Sequence, residues 1–108
     1  EIYSKGMASV VLTKEVLERF QATDQLASLV VSVPGTVEGI LAWSMYVEQE
    51  DGTFRVHLRS KGPTVNHIAQ AFGGGGHTLA CGIPSVTKSQ ILEVDAELKE
   101  AVKTFKKN

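Results

Sequence analysis

Apolar positions along the chain switch between the strand period of two and the helix period of 3.6, and the switches mark out alternating elements. Residues 8–12 read as a short strand, closed by Thr13, which can cap a helix over 14–20. Thr23 or Asp24 can cap a second short helix over 25–31, stopped by Pro34-Gly35. Residues 37–49 and 54–60 read as two strands joined by a turn containing Asp51-Gly52. Thr64 is placed to cap a helix over 65–72, and residues 81–86 form a further strand. Thr87 and Gln90 have capping-box spacing at the start of a last helix, with Ile91, Val94, Leu98, Val102 and Phe105 on one face. Lys99, Lys103, Lys106 and Lys107 suit the C-terminal end of its dipole and read as a solvated face. The expected fold is α/β: a mixed sheet with a hairpin, helices packed on it, and a glycine-rich loop before the last part of the sheet.

The expected hairpin register sets Glu50 opposite Thr53. Val47, Met45 and Trp43 then face Val56, Leu58 and Ser60 on the core side. On the opposite side Glu48 faces Arg55, Tyr46 faces His57 and Ser44 faces Arg59. Arg55 thereby gains a carboxylate, whereas Arg59 faces a hydroxyl and keeps its fork available for a ligand phosphate. Arg55, His57 and Lys61 read as the wet face of an antiparallel sheet. Trp43 reads as core, and His67 as an ordinary helix residue.

The most informative segment is Gly73-Gly74-Gly75-Gly76-His77, set between apolar stretches on both sides. Linkers usually continue into Ser and charge, so this run reads instead as a structured turn. Glycines reach positive φ freely, and successive N–H groups in such a turn can form an anion-binding nest. Several of the four are expected at positive φ, so that a Cβ, as in Gly75→Val, damages both folding and binding. His77-Thr78 replaces the Lys-Ser/Thr of a P-loop, and the G-x-G-x-x-G fingerprint fails at its third glycine.

Size and charge narrow the classes. A chain of 108 residues is one domain, with the 43% hydrophobic and 21% charged content of a globular protein. A net charge of −1 argues against coating of nucleic acid, so any polyanion site is local. Cys81 stands alone, which excludes an internal disulfide and suits a reducing compartment; Ala-Cys-Gly reads as a small buried residue. No apolar run reaches membrane-span length and no signal peptide is visible, so a cytoplasmic location without membrane partners is expected. His57, His67 and His77 lack metal-ligand spacing, and Asp24, Asp51 and Asp95 are scattered. The opening at Glu1, without an initiator Met, suggests a piece of a longer chain.

Arg59-Ser60-Lys61, Val65-Asn66-His67-Ile68-Ala69, Phe72-Gly73-Gly74-Gly75-Gly76-His77 and Ala80-Cys81-Gly82 together resemble the DHH-associated C-terminal domain of DHH phosphoesterases. The likeness is greatest to the branch that degrades short oligoribonucleotides and dephosphorylates phosphoadenosine phosphate; related branches are exopolyphosphatase-like, cyclic-dinucleotide-cleaving and RecJ-like. Cys81 departs from the Ala or Ser usual in the family, a small-for-small change. The resemblance implies that a separate N-terminal DHH domain binds manganese and carries out hydrolysis. This chain is then the substrate-binding half, holding no metal itself and inactive alone. Its phosphate-gripping roles fall on Arg59, the backbone of Gly73, Gly74, Gly75 and Gly76, and His77, with Ser60 and Asn66 in weaker roles. The implied ligands are a short oligoribonucleotide or a nucleotide phosphate, and the oligomeric state is left open, a homodimer included. Two other classes stay open: a stand-alone nucleic-acid-binding module, and a C-terminal module of the alanyl-tRNA-synthetase type. The His after the glycines argues against the last.

Overall fold

The computed structural model describes residues 2–4, 6–19 and 39–107. In chain order they form β1 (Ile2–Ser4), β2 (Met7–Leu12), α1 (Lys14–Arg19), β3 (Ala42–Glu48), β4 (Phe54–Ser60), α2 (Asn66–Ala71), β5 (Gly75–Gly76), β6 (Ala80–Val86) and α3 (Lys88–Lys107). The strands make one mixed six-stranded sheet in the order β1-β2-β3-β4-β6-β5. Only β2 and β3 pair in parallel; the other neighbours are antiparallel. The mixed α/β architecture agrees with the sequence reading, whereas β1 was not anticipated. The helix expected over 25–31, and the first residues of the strand expected from 37, lie outside the described residues. Among the described residues, no helix is long and apolar enough to cross a membrane.

Helices α2 and α3 cover one face of the sheet. Val65, Ile68 and Ala69 from α2 and its lead-in, and Val94, Leu98 and Val102 from α3, pack against Tyr46, Phe54, Val56, Leu58, Cys81, Ile83 and Val86. Burial of this apolar surface is the main driving force for the layer. The capping box of α3 forms as expected: Thr87 N–H donates to Gln90 Oε1 at 2.7 Å, and Gln90 N–H donates to Thr87 Oγ1 at 3.4 Å. Thr13 likewise accepts from Val16 N–H at the start of α1. Thr64 does not cap α2, which begins from Val65 with no side-chain cap. Of the expected α3 face, Ile91 is only partly buried and Phe105 is exposed, its ring lying over Gly62.

One polar cluster ties α3 to the sheet. Asp95 on α3 accepts hydrogen bonds from Ser44 Oγ at 2.7 Å, Ser9 Oγ at 2.9 Å and Tyr46 OH at 2.5 Å. Ser9, Ser44 and Tyr46 are buried, and the carboxylate satisfies all three hydroxyls.

The β3–β4 hairpin differs from expectation by one residue. Gln49 N–H bonds Thr53 O at 2.8 Å, leaving the three-residue loop Glu50-Asp51-Gly52. Gly52 takes φ +87°, Gly52 N–H reaches back to Gln49 O, and Asp51 Oδ1 accepts from both Thr53 N–H and Thr53 Oγ1. This is a three-residue hairpin loop closed by a left-handed glycine. It pairs Val47 with Arg55, Tyr46 with Val56, Met45 with His57, Ser44 with Leu58 and Trp43 with Arg59. A one-residue slip turns every side chain to the other face. Tyr46 and Ser44 therefore enter the helix-covered core, while Trp43 and Met45 lie on the opposite face. Trp43 is buried there with Ala8 and Ile40 in a second, smaller cluster. The expected Glu48–Arg55 pair is absent, since Glu48 Oε1 accepts from Lys14 N–H instead.

Candidate functional site

The glycine run divides into two local structures. Gly73 takes φ +92°, Gly73 N–H donates to Gln70 O, and Gly74 N–H donates to Ala69 O at 2.7 Å. That is a Schellman motif ending α2, with Gly73 as its left-handed residue. Gly75 and Gly76 then form the edge strand β5, paired with Gly82 and Cys81 of β6. His77 N–H bonds Ala80 O at 2.9 Å, which closes a tight turn over Thr78-Leu79. The expected nest of converging amides is not what forms: the N–H groups of Gly73, Gly74 and His77 are already bonded within the fold. Positive φ is confined to Gly73 and Gly76 within the run.

The tip of this hairpin is anchored to the end of β4 and the start of α2. Ser60 N–H bonds Leu79 O at 2.9 Å, and Val65 N–H bonds Thr78 O at 2.8 Å. Ser60 Oγ donates to Pro63 O at 2.5 Å and accepts from Gly62 N–H at 3.0 Å. Its hydroxyl therefore shapes the β4–α2 loop. Asn66 is the half-buried first residue of α2, beside the anchored turn.

Register brings Arg59 and His77 into one row. Arg59 is paired with Ala80, and Ala80 is hydrogen-bonded across the turn to His77. Alternation along the strands places this row on the face away from α2 and α3. His77 is exposed, and Arg59 is half-buried. Arg59 Nη1 donates to Leu58 O at 2.9 Å and Cys81 O at 3.1 Å, which fixes the guanidinium against the strand ends. Lys14 pairs with Glu50, and neither Arg55 nor Arg59 forms an ion pair with a described carboxylate. The contrast expected between the two arginines therefore depends on position: Arg59 shares the row of His77, and Arg55 lies two rows away.

His57 lies between those arginines on the same face. Partial burial, followed by the charges of Arg59 and Arg55, holds its pKa below the usual 6.5. The ring is thus neutral at pH 7. A folded-state pKa below the unfolded value means that the unfolded chain binds more protons below pH 6.5, so stability falls as pH drops below that point. Ring-proton NMR titration should give a His57 midpoint below 6.5, rising in Arg59→Ala; a midpoint at or above 6.5 would refute this placement. Cys81, on the core side, is buried, and burial pushes its thiol up, as expected of a packed residue and not a nucleophile.

The described residues do not fit a manganese site. No group of three or more His, Cys, Asp or Glu among them could hold a metal ion, and Asp95 and Asp51 already accept from nearby hydroxyls and amides.

Sequence comparisons place this arrangement among known proteins. The DHHA1 domain model matches residues 6–105. The chain is 39% identical over 103 residues to a probable bifunctional oligoribonuclease and PAP phosphatase NrnA of Streptococcus mutans, covering 95% of this chain and 33% of that protein. It is 40% identical over 98 residues to the bifunctional oligoribonuclease and PAP phosphatase NrnA of Bacillus subtilis, covering 91% and 31%. The chain thus spans about a third of the length of these relatives. A solved exopolyphosphatase-related protein from Bacteroides fragilis matches with a TM-score of 0.70 at 25% identity, over 91% of this chain and 29% of that one. A pGpG-specific phosphodiesterase from Vibrio cholerae has a TM-score of 0.62 at 12% identity, over 97% and 35%, a likeness of fold alone.

Proposed function

Because this chain belongs to the DHHA1 domain family, we propose that it is the substrate-binding part of a DHH-type phosphoesterase acting on short oligoribonucleotides or phosphoadenosine phosphate. The relatives it resembles carry those activities in their names, and it corresponds to about a third of their length. The single observation that carries the reading is the row Arg59–Ala80–His77, where an arginine without a described carboxylate partner shares a sheet face with an exposed imidazole. In this reading Arg59 meets phosphoryl oxygens through its remaining guanidinium N–H groups, and His77 donates beside it. Ser60 and the Gly73-Gly74 turn hold the strand ends and the hairpin tip in place, with Asn66 beside them in a weaker binding role. The N-terminal DHH domain supplies manganese, so the groups here bind and orient substrate while activation of water happens elsewhere. A cytoplasmic location belongs to the same proposal, supported by the lone buried thiol of Cys81.

Titration of the chain with phosphoadenosine phosphate tests the assignment. Loss of a charged hydrogen bond costs about 1.5–3 kcal/mol, so Arg59→Ala should weaken binding by about tenfold or more. His77→Ala should weaken it without moving the melting temperature, because the ring is exposed. Arg55→Ala should cost less than Arg59→Ala. Equal losses at the two arginines would remove the special role of the Arg59 row. A large fall in melting temperature for His77→Ala, with affinity per folded molecule intact, would make His77 a structural residue.

A further inference from the structure

Three of the four consecutive glycines have a reason to be glycine inside the fold. Gly73 and Gly76 sit at φ +92° and +139°, and a Cβ on Gly74 would lie 2.0 Å from Gly82 O. Gly75 has neither constraint: its φ is not positive, and a Cβ there would meet nothing within 4 Å. The space it leaves open is a depression of about 400 Å³, bordered by Arg55, His57, Gly75, Gly82 and Pro84. Gly75 is paired with Gly82, and Gly82 with His57, so two adjacent strands present bare backbone side by side. This flat floor lies on the same sheet face as Arg59 and His77, one row along the strands, about 6.6 Å away by strand rise.

We propose that this depression is a nucleobase subsite, taking the base of the nucleotide whose phosphate meets Arg59 and His77. The proposal rests on the phosphate-binding reading above and adds what distinguishes a nucleotide from a bare phosphate chain. A floor without Cβ atoms lets a planar ring approach the backbone closely. The walls offer an imidazole, a guanidinium and a proline ring, and aromatic rings and guanidinium planes are the usual partners of unpaired bases. The His57 ring is partly buried and held toward its neutral form, which suits stacking better than phosphate capture. Volumes of this order are typical of small-ligand sites.

The test compares adenosine 5′-monophosphate with ribose 5-phosphate, by titration of the chain and of Gly75→Val. Stacking of a base is worth about 1–3 kcal/mol, so the nucleotide should bind the unaltered chain about tenfold more tightly. In Gly75→Val, whose side chain occupies the depression, the ratio of the two affinities should fall close to one. Amide spectra establish that the variant is folded, and His57→Ala, which should also lower the ratio, serves if it is not. Equal affinities in the unaltered chain, or a ratio that survives in the variants, overturn the base subsite and leave the phosphate site standing. Failure of both ligands to bind overturns the phosphate-binding reading itself, and the subsite with it.

Discussion

Gly74→Ala is expected to destabilise the chain by about 3 kcal/mol, while Gly75→Ala leaves the melting temperature unchanged or raises it. The new methyl carbon at position 74 would lie 2.0 Å from Gly82 O and 2.8 Å from Ile83 Cα. Both obstacles are backbone atoms of β6, so no side-chain rotation relieves the clash. Overpacking of this kind costs about 1–3 kcal/mol and more where backbone must move. Here the movement separates β5 from β6 and breaks the Schellman bond from Gly74 N–H to Ala69 O. At position 75 the added carbon meets nothing, and reduced freedom of the unfolded chain favours folding by about 0.4–1 kcal/mol. Thermal unfolding of the two variants side by side checks this. Equal losses would mean that the hairpin is not formed as described. Composition alone treats the four glycines alike and predicts damage from Gly75→Val; position within the fold separates them.

The second large effect is expected at Asp95. Asp95→Ala leaves the hydroxyls of Ser9, Ser44 and Tyr46 without their shared acceptor in a buried layer. An unsatisfied buried group costs about 1–3 kcal/mol, and the contact from Tyr46 OH to Ile91 O is long, at 3.4 Å. A total loss of about 3 kcal/mol is expected, or more than about 10 °C in melting temperature for a domain of this size. Because the cluster joins β2, β3 and α3, the loss should loosen α3 from the sheet. Amide exchange along α3 should then rise together with the fall in melting temperature. A fall below about 0.5 kcal/mol would show that the carboxylate is dispensable to the fold.

Local signals were the legible ones. Thr87 with Gln90, and Thr13 before α1, are caps whose partners lie three residues away, and both form. The glycines after Phe72 do end a helix. Pairings between distant segments were harder to read. Asp51-Gly52 suits a two-residue turn by composition, but the Asp51 carboxylate is hydrogen-bonded to Thr53, Gly52 is left-handed and Gln49 pairs with Thr53, which makes a three-residue loop. That single residue reversed the faces of Tyr46, Met45 and Trp43. Asp95 reads in the sequence only as one of three scattered aspartates, because its partners Ser9, Ser44 and Tyr46 are far away along the chain. The depression at Gly75 gave no pattern at all, since it depends on Gly82 being brought beside it by pairing.

The central claim is that Arg59 and His77 together receive a phosphate, and a crystal structure of the chain with a 5′-phosphorylated dinucleotide tests it most directly. The account predicts a phosphoryl group within hydrogen-bond distance of both the Arg59 guanidinium and the His77 imidazole, on the sheet face opposite α2 and α3. A dinucleotide whose phosphates all lie away from that row, with Arg59 still bonded only to Leu58 O and Cys81 O, would contradict it.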